Sequence, residues 1–230
     1  IMWFNKLTFP IYIYIIITLL ISNMGFFERL PDTFIIFDTE FTAWDGSMQR
    51  EWSGKNEHRE IVQISAFKIK KKKNNIAITK KLNIYILPRI NRNLSEYFIE
   101  LTGITQEIID KKGLQFKQAM AVFYRFCKNE KDEKYQLYSM CNDYGVIKEN
   151  LKLNSINKRS RFYKWEKKFH DITPFFTPYV DTRLYSSGTL YKAFKIIPNN
   201  KVDVHNASWD CLSLFLSLKK VISISDLSEI

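Results

Sequence analysis

Cysteine, glycine and proline are all scarce in this 230-residue chain, with three, seven and six copies respectively. Cys127, Cys141 and Cys211 are odd in number, widely spaced and form no CxxC pair, and no histidine stands near them at zinc-ligand spacing. A disulfide framework and a structural zinc are therefore not indicated. The three are expected to be small buried hydrophobes in a reducing compartment, which points to the cytoplasm. So few glycines and prolines, beside abundant Ile, Phe and Tyr, exclude a collagen-like, low-complexity or disordered protein. No glycine-rich phosphate loop, no internal repeat and no convincing linker is found. The length suits one substantial core. What the chain does have is positive charge: 35 Lys and Arg against 24 Asp and Glu give a net charge of +11. That excess favours a polyanionic partner such as nucleic acid or an anionic membrane surface.

Residues 7–22 (LTFPIYIYIIITLLIS) form an uncharged apolar run preceded by Lys6. Such a run reads as a signal peptide or a membrane anchor. It is shorter than the roughly 20 residues that a membrane-crossing helix needs. Pro10 also interrupts it, and no A-x-A-like cleavage site follows. Ile1 opens the chain and Met24 lies just beyond the run, so an extension upstream of the functional protein is a third reading. Residues 1–32 are set apart on these grounds as an apolar N-terminal segment, either an anchor or a non-native extension. Localisation is expected to be cytoplasmic, with anchoring through residues 7–22 as the alternative.

From Thr33 onward the pattern is that of one mixed-sheet α/β domain spanning 33–221, followed by a tail at 222–230. Residues 34–37 form a short buried-type strand that ends in Asp38, Thr39 and Glu40. Residues 60–70 and 76–87 read as two strands of an antiparallel meander, with Lys70 to Lys73 as a solvated hairpin tip. Helical spacing marks 94–101, 105–110 with Thr105 as N-cap, and 115–127. A fourth strand is predicted at 135–140, a helix at 143–151 and a fifth strand at 179–184. Helices at 189–197 and 206–221 close the domain.

The chemistry is concentrated in carboxylates. Asp38 and Glu40 are two apart on a predicted strand, so alternation sends both to one face. Like charges this close resist joint ionisation unless a cation neutralises them, and an oxygen-only set suits Mg2+ or Mn2+. Asp143 follows the fourth strand, where it can equally be the N-cap of the next helix. In the segment His205-Asn206-Ala207-Ser208-Trp209-Asp210, a loop histidine precedes an aspartate about one turn into the closing helix. His58 and the pair His170-Asp171 have no suitable Ser or Cys partner and read as ordinary polar residues.

Phe37-Asp38-Thr39-Glu40-Phe41-Thr42, the strand leading to Asp143, and His205-x-Ala207-x-x-Asp210 resemble the three motifs of the DEDDh 3′-to-5′ exonuclease superfamily, which includes polymerase proofreading subunits and RNase T. Leu101-Thr102-Gly103-Ile104-Thr105 is similar to the segment that follows the third strand in that group. The resemblance covers about residues 33–218. It implies a ribonuclease H-like fold: a five-stranded mixed sheet, three strands antiparallel and two continuing parallel, with helices on both faces. It implies two divalent metals, Mg2+ or Mn2+, held by Asp38, Glu40, Asp143 and Asp210, with His205 as general base. It implies hydrolysis of single-stranded DNA or RNA from a free 3′ end to nucleoside 5′-monophosphates, and it admits a homodimer. The alternative is a nucleic-acid-binding or polymerase-associated module with a retained core.

Two stretches depart from the common pattern, residues 44–59 and 154–176. Trp44, Trp52, Phe162, Tyr163 and Trp165 lie there among Arg50, Arg59, Lys158, Arg159 and Arg161. They form either a stacking and phosphate-contacting surface or anchors that fasten the loops to the domain.

Overall fold

Phe34, Ile35, Ile36 and Phe37 are all fully buried, although alternation points them to opposite sides of one strand. Both faces are therefore covered, which is why the run shows no polar alternation. The computed structural model describes residues 30–73, 75–128, 135–199 and 201–225. The five strands among them are β1 (Thr33–Phe41), β2 (Ile61–Lys72), β3 (Asn75–Tyr85), β4 (Leu137–Ser139) and β5 (Phe169–Asp171). Their spatial order is β3-β2-β1-β4-β5. β1, β2 and β3 pair antiparallel, whereas β4 pairs parallel with β1 and β5 parallel with β4. The helices are α1 (Glu96–Thr102), α2 (Gln106–Lys112), α3 (Phe116–Cys127), α4 (Asp143–Leu153), α5 (Leu190–Ala193) and α6 (Ala207–Ser225). This is the ribonuclease H-like mixed sheet that the motif resemblance implies.

Two cores sandwich the sheet. Phe34 and Ile36 pack with Leu214, Leu218 and Val221 of α6. Ile35 and Phe37 pack with Met120 and Phe123 of α3 and with Val146 and Ile147 of α4. A smaller cluster of Val62, Leu94, Phe98, Ile104 and Ile109 seats α1 and α2. Thr105 caps α2 as expected, its hydroxyl oxygen accepting from the Ile108 N–H at 3.3 Å. Among the described residues no helix is long and apolar enough to cross a membrane. The apolar run at 7–22 lies outside them.

The structure corrects several expectations. The fifth strand is Phe169–Asp171, while 179–184 forms turns that end in a 3-10 turn at Thr182–Leu184. A three-residue strand with two exposed members carries too little apolar alternation to stand out, and it sits inside the second of the departing stretches. The helix expected at 189–197 shrinks to Leu190–Ala193, where Lys195 takes a positive φ of 53°. The closing helix continues beyond 221 to Ser225, because Ile222 is part of the core. Cys127 and Cys211 are buried as expected, but Cys141 is exposed. It occupies the turn after β4 with φ of 66°, away from either core.

The two departing stretches behave mainly as anchored loops. Phe162 and Trp165 are buried against Phe123 and Tyr124, so neither is available for stacking. Trp52 packs on Phe41 and donates its indole N–H to the Thr42 carbonyl at 3.0 Å. Arg59 lies over both rings and is held in a two-pronged ion pair with Glu149. Buried Glu60 accepts from the N–H groups of Arg89, Ile90 and Asn91 at 2.7, 2.9 and 2.6 Å and so ties the loop after β3 to the start of β2.

Candidate active site

Alternation along β1 decides which face each acid takes. Asp38 and Glu40 continue the 34, 36 series and face α6, whereas Thr39 continues the 35, 37 series and faces α4. On the α6 side, Asp38, Glu40 and Asp210 bring one carboxylate oxygen each within 4.8 Å of one another. Asp38 and Asp210 are buried and Glu40 is half-buried. Immediately after Glu40 the pairing with β2 slips by one residue, so that Phe41 faces Ile61. Such bulges redirect side chains at the ends of strands.

Asp143 reaches the same region from the other layer. It is the first residue of α4 but not its cap: Asn142 caps, its Oδ1 accepting from the Gly145 N–H at 3.1 Å. The N-cap expectation for Asp143 is therefore corrected, and its carboxylate is left for tertiary contacts. Its Oδ1 accepts from the Thr39 N–H at 3.0 Å and from the Thr39 hydroxyl at 2.5 Å. Its charge is the strongest carboxylate influence on Asp38.

Asp210 is held by its neighbours on one side only. Its Oδ2 accepts from the Ser187 hydroxyl at 2.9 Å, while Oδ1 is buried without a hydrogen-bond partner. The Gly188 backbone closes over it, and a Cβ at that position would lie 2.3 Å from Oδ1. The Trp209 indole fixes the Gly188 carbonyl at 2.8 Å. In a chain with seven glycines, this one is needed for a close approach. Gly188→Ala should therefore displace Asp210, weakening divalent-ion binding measured by calorimetry about tenfold or more, the loss typical of disturbing the groups that orient a ligand. Unchanged affinity would show that the backbone yields instead.

The start of α6 is clamped from the sheet. Buried Gln63 of β2 accepts from the Ala207 N–H at 3.0 Å and donates to Asn83 at 2.9 Å and Asn206 at 3.4 Å. His205, just outside the helix, is half-buried with φ of 65°. A left-handed non-glycine residue is strained by about 1–3 kcal/mol, and such strain gathers at functional sites. The His205 backbone N–H works against the rise of the Asp210 pKa.

The electrostatics follow from crowding without a counterion. Burial, then Asp143, Asp210 and Glu40, push Asp38 well above the ordinary carboxylate range. Glu40 rises for the same reasons, burial first and then Asp210 and Asp143. Burial lifts Asp210 to about 7, opposed by Ser187 and the His205 N–H. Asp143 is lifted to about 6, its Thr39 hydrogen bonds offsetting part of the burial. Burial lowers His205, which keeps the imidazole neutral near pH 7. Buried carboxylates around an orphaned oxygen, with no cation among the described residues to neutralise them, fit a hard divalent cation.

Of the five residues singled out from sequence, the tertiary structure thus unites Asp38, Glu40 and Asp210, sets Asp143 beside them through Thr39, and leaves His205 just before α6, where its backbone N–H acts on the Asp210 pKa. His58 and His170 stay outside this cluster. Thr39, Gln63, Ser187 and Gly188 had no sequence signal beyond proximity to a motif or, for Gly188, the rarity of glycine.

A ribonuclease H-like sheet with acids at the end of its central strand is an arrangement of metal-dependent nucleases. The RNase T family of exonucleases matches residues 35–216, and the chain belongs to that family. Over 101 residues it is 32% identical to the 3′-5′ exonuclease Snipper of Drosophila melanogaster, a match that covers 44% of this chain and 34% of Snipper. The chain thus spans about a third of that relative's length. Among solved structures, the nuclease domain of 3′hExo, a DEDDh family member bound to rAMP, superposes with a TM-score of 0.68 at 18% identity, covering 87% of this chain and 94% of that one. Cell-death related nuclease 4 superposes with a TM-score of 0.62 at 20% identity, covering 84% and 64%. At such identities the structural likeness speaks for the fold.

Proposed function

We propose that this chain is a metal-dependent 3′-to-5′ exonuclease that shortens single-stranded nucleic acid from a free 3′ end and releases nucleoside 5′-monophosphates. The observation that carries the proposal is the trio Asp38, Glu40 and Asp210, with oxygens within 4.8 Å and an orphaned Asp210 Oδ1. The family assignment and the names of the relatives, a 3′-5′ exonuclease and a nuclease domain bound to rAMP, support the same reading.

In this reading Asp38, Glu40, Asp143 and Asp210 hold two divalent ions, Mg2+ or Mn2+. When bound, such ions activate a water and offset charge on the leaving 3′ oxygen. The protein's own part is to hold the acids on three elements, β1 and the helices α4 and α6 on its two faces, so that none of them supplies the site alone. Thr39 orients Asp143, and Ser187 orients Asp210. Neutral His205 takes the proton of the attacking water, the task of a base that titrates near neutrality. Residues from Thr33 to the end of α6 constitute the catalytic domain.

The test uses 5′-labelled single-stranded RNA and DNA with Mn2+, Mg2+ or EDTA, beside Asp38→Asn. A ladder that shortens from the 3′ end, needs metal and fades in the variant is expected, with turnover down about 100- to 1,000-fold, as for loss of a group that stabilises transition-state charge. A folded wild-type protein that binds either polymer without shortening it would sink the proposal and favour a binding module.

A further inference from the structure

Two adjoining hollows on the α3 face, of about 520 and 230 Å3, share Tyr124 and Arg161. Lys117, Arg125 and Arg161 line one, and Lys128, Arg161, Lys164 and Lys168 line the other. No Asp or Glu among the described residues lines either. Glu166, in the 3-10 turn Tyr163–Lys168 that carries Lys164 and Lys168, is paired instead with Lys148 at 3.1 Å. On α3, Lys117, Ala121, Tyr124, Arg125 and Lys128 follow one another at helical spacing on the side opposite buried Phe116, Met120, Phe123 and Cys127. At 1.5 Å per residue, that stripe runs on the order of 16 Å. Lys117 stands in the first turn, which holds no acid although the helix dipole favours one there. The aromatic floor is rigid: Tyr124 stacks on buried Trp165, and the Arg161 guanidinium lies over Tyr124 at 5.1 Å.

We propose that this groove binds the phosphate backbone of the substrate strand at a distance from the 3′ end being cut. The proposal rests on the exonuclease reading above. Tyr135 in the groove precedes β4 and Asp143 follows it, so the Tyr135 end of the groove and Asp143 lie at opposite ends of that strand. A substrate must extend well beyond the site to touch that end of the groove. Four exposed cations, Lys117, Arg125, Arg161 and Lys164, with no Asp or Glu of the described residues lining the hollows beside them, match a polyanion of repeating charge, and each phosphate that a cation neutralises releases counterions. The groove therefore governs affinity and the number of nucleotides removed per encounter, not the chemical step.

The variant Lys117→Gln/Arg125→Gln/Arg161→Gln/Lys164→Gln tests this, with its fold checked by circular dichroism. In EDTA at low salt, its affinity for a single strand of about 30 nucleotides should fall tenfold or more, and its salt slope should drop by about 0.7 for each phosphate that the variant no longer neutralises. With metal, kcat on a trinucleotide should match wild type. Unchanged affinity for the long strand overturns the proposal, as does an equal loss on the trinucleotide, which would mean that the groove acts through the site. Charge-dependent binding to phosphatidylserine vesicles without any change in oligonucleotide affinity would overturn it in favour of a membrane surface. A wild-type protein that binds the long strand through these cations but never shortens it would refute the exonuclease reading and leave the groove standing.

Discussion

Stripped of metal, the protein should be more stable at pH 5 than at pH 8. Four carboxyl groups, Asp38, Glu40, Asp143 and Asp210, have their pKa values raised in the fold, two of them to about 6 and about 7. A raised carboxyl binds its proton more tightly folded than unfolded, so folding takes up protons and stability falls as pH climbs from the unfolded value toward the folded one, levelling off above it. A carboxyl moved from 3.8 to about 7 ionises at a cost on the order of 4 kcal/mol by pH 8. His205 and His170, both lowered by burial, act in the opposite sense below about pH 6.5, but the four acids outweigh them. Melting temperature in EDTA should therefore decline between pH 5 and pH 8, most steeply at the acid end of that range, where the unfolded carboxyls have ionised and the folded ones still hold their protons. Excess Mg2+ or Mn2+ should restore it at pH 8, because ligands that bind only the folded state stabilise it by mass action. Asp210→Asn should flatten the decline and melt higher than wild type at pH 8 in EDTA, since removing a charge from a crowded buried set relieves it. The same change should abolish nuclease activity. A flat or rising profile, or Asp210→Asn melting below wild type at pH 8, would show that the acids are not under the strain inferred from their packing.

The second large effect is expected at His205. Replacing it with alanine removes the half-buried imidazole that stands just before α6 and should lower turnover by about 100- to 10,000-fold, the usual contribution of a positioned general base. Divalent-ion affinity should stay within a few-fold of wild type, because no carboxylate is lost. Since burial holds the imidazole below its ordinary 6.5, wild-type activity should rise with pH through that lowered value and then level off. The alanine variant should lose that rising limb. The left-handed backbone at this position calls for His205→Asn and His205→Gly as companions, because both residues accept positive φ. If those two keep near-normal rates, His205 serves the turn and not the proton transfer.

The order of these effects reflects how the site is divided between local and long-range structure. Asp38 and Glu40 are legible because a strand's two-residue period is a local property: an apolar run followed by D-x-E places both acids on one face whatever the rest of the chain does. His205 and Asp210 are legible through their spacing at a helix start, and Asp143 through its position after a strand. The helix cap differs from the expected one by a single residue, since Asn142 and Asp143 are both good caps and only the contact between Thr39 and Asp143 assigns them different tasks. β5 escapes sequence reading because three residues with two exposed carry no usable pattern; parallel pairing with β4 creates it. The aromatics of the late loop are readable as a binding surface or as anchors, and burial of Phe162 and Trp165 beneath α3 settles those two as anchors.

By itself, then, the amino-acid order determined the class of fold, the run of the central strand and the identity of the five residues on which the proposed chemistry rests, because those features depend on periods of two and of three to four residues and on short motifs. Tertiary structure alone decided what those residues face. It placed Asp210 against Asp38 from the far end of the domain, left one of its oxygens without a partner beside Gly188, and gathered cations from α3 and from a distant turn into one groove. These are pairings between segments far apart in the chain, specified by the packing of whole layers, and no local pattern encodes them.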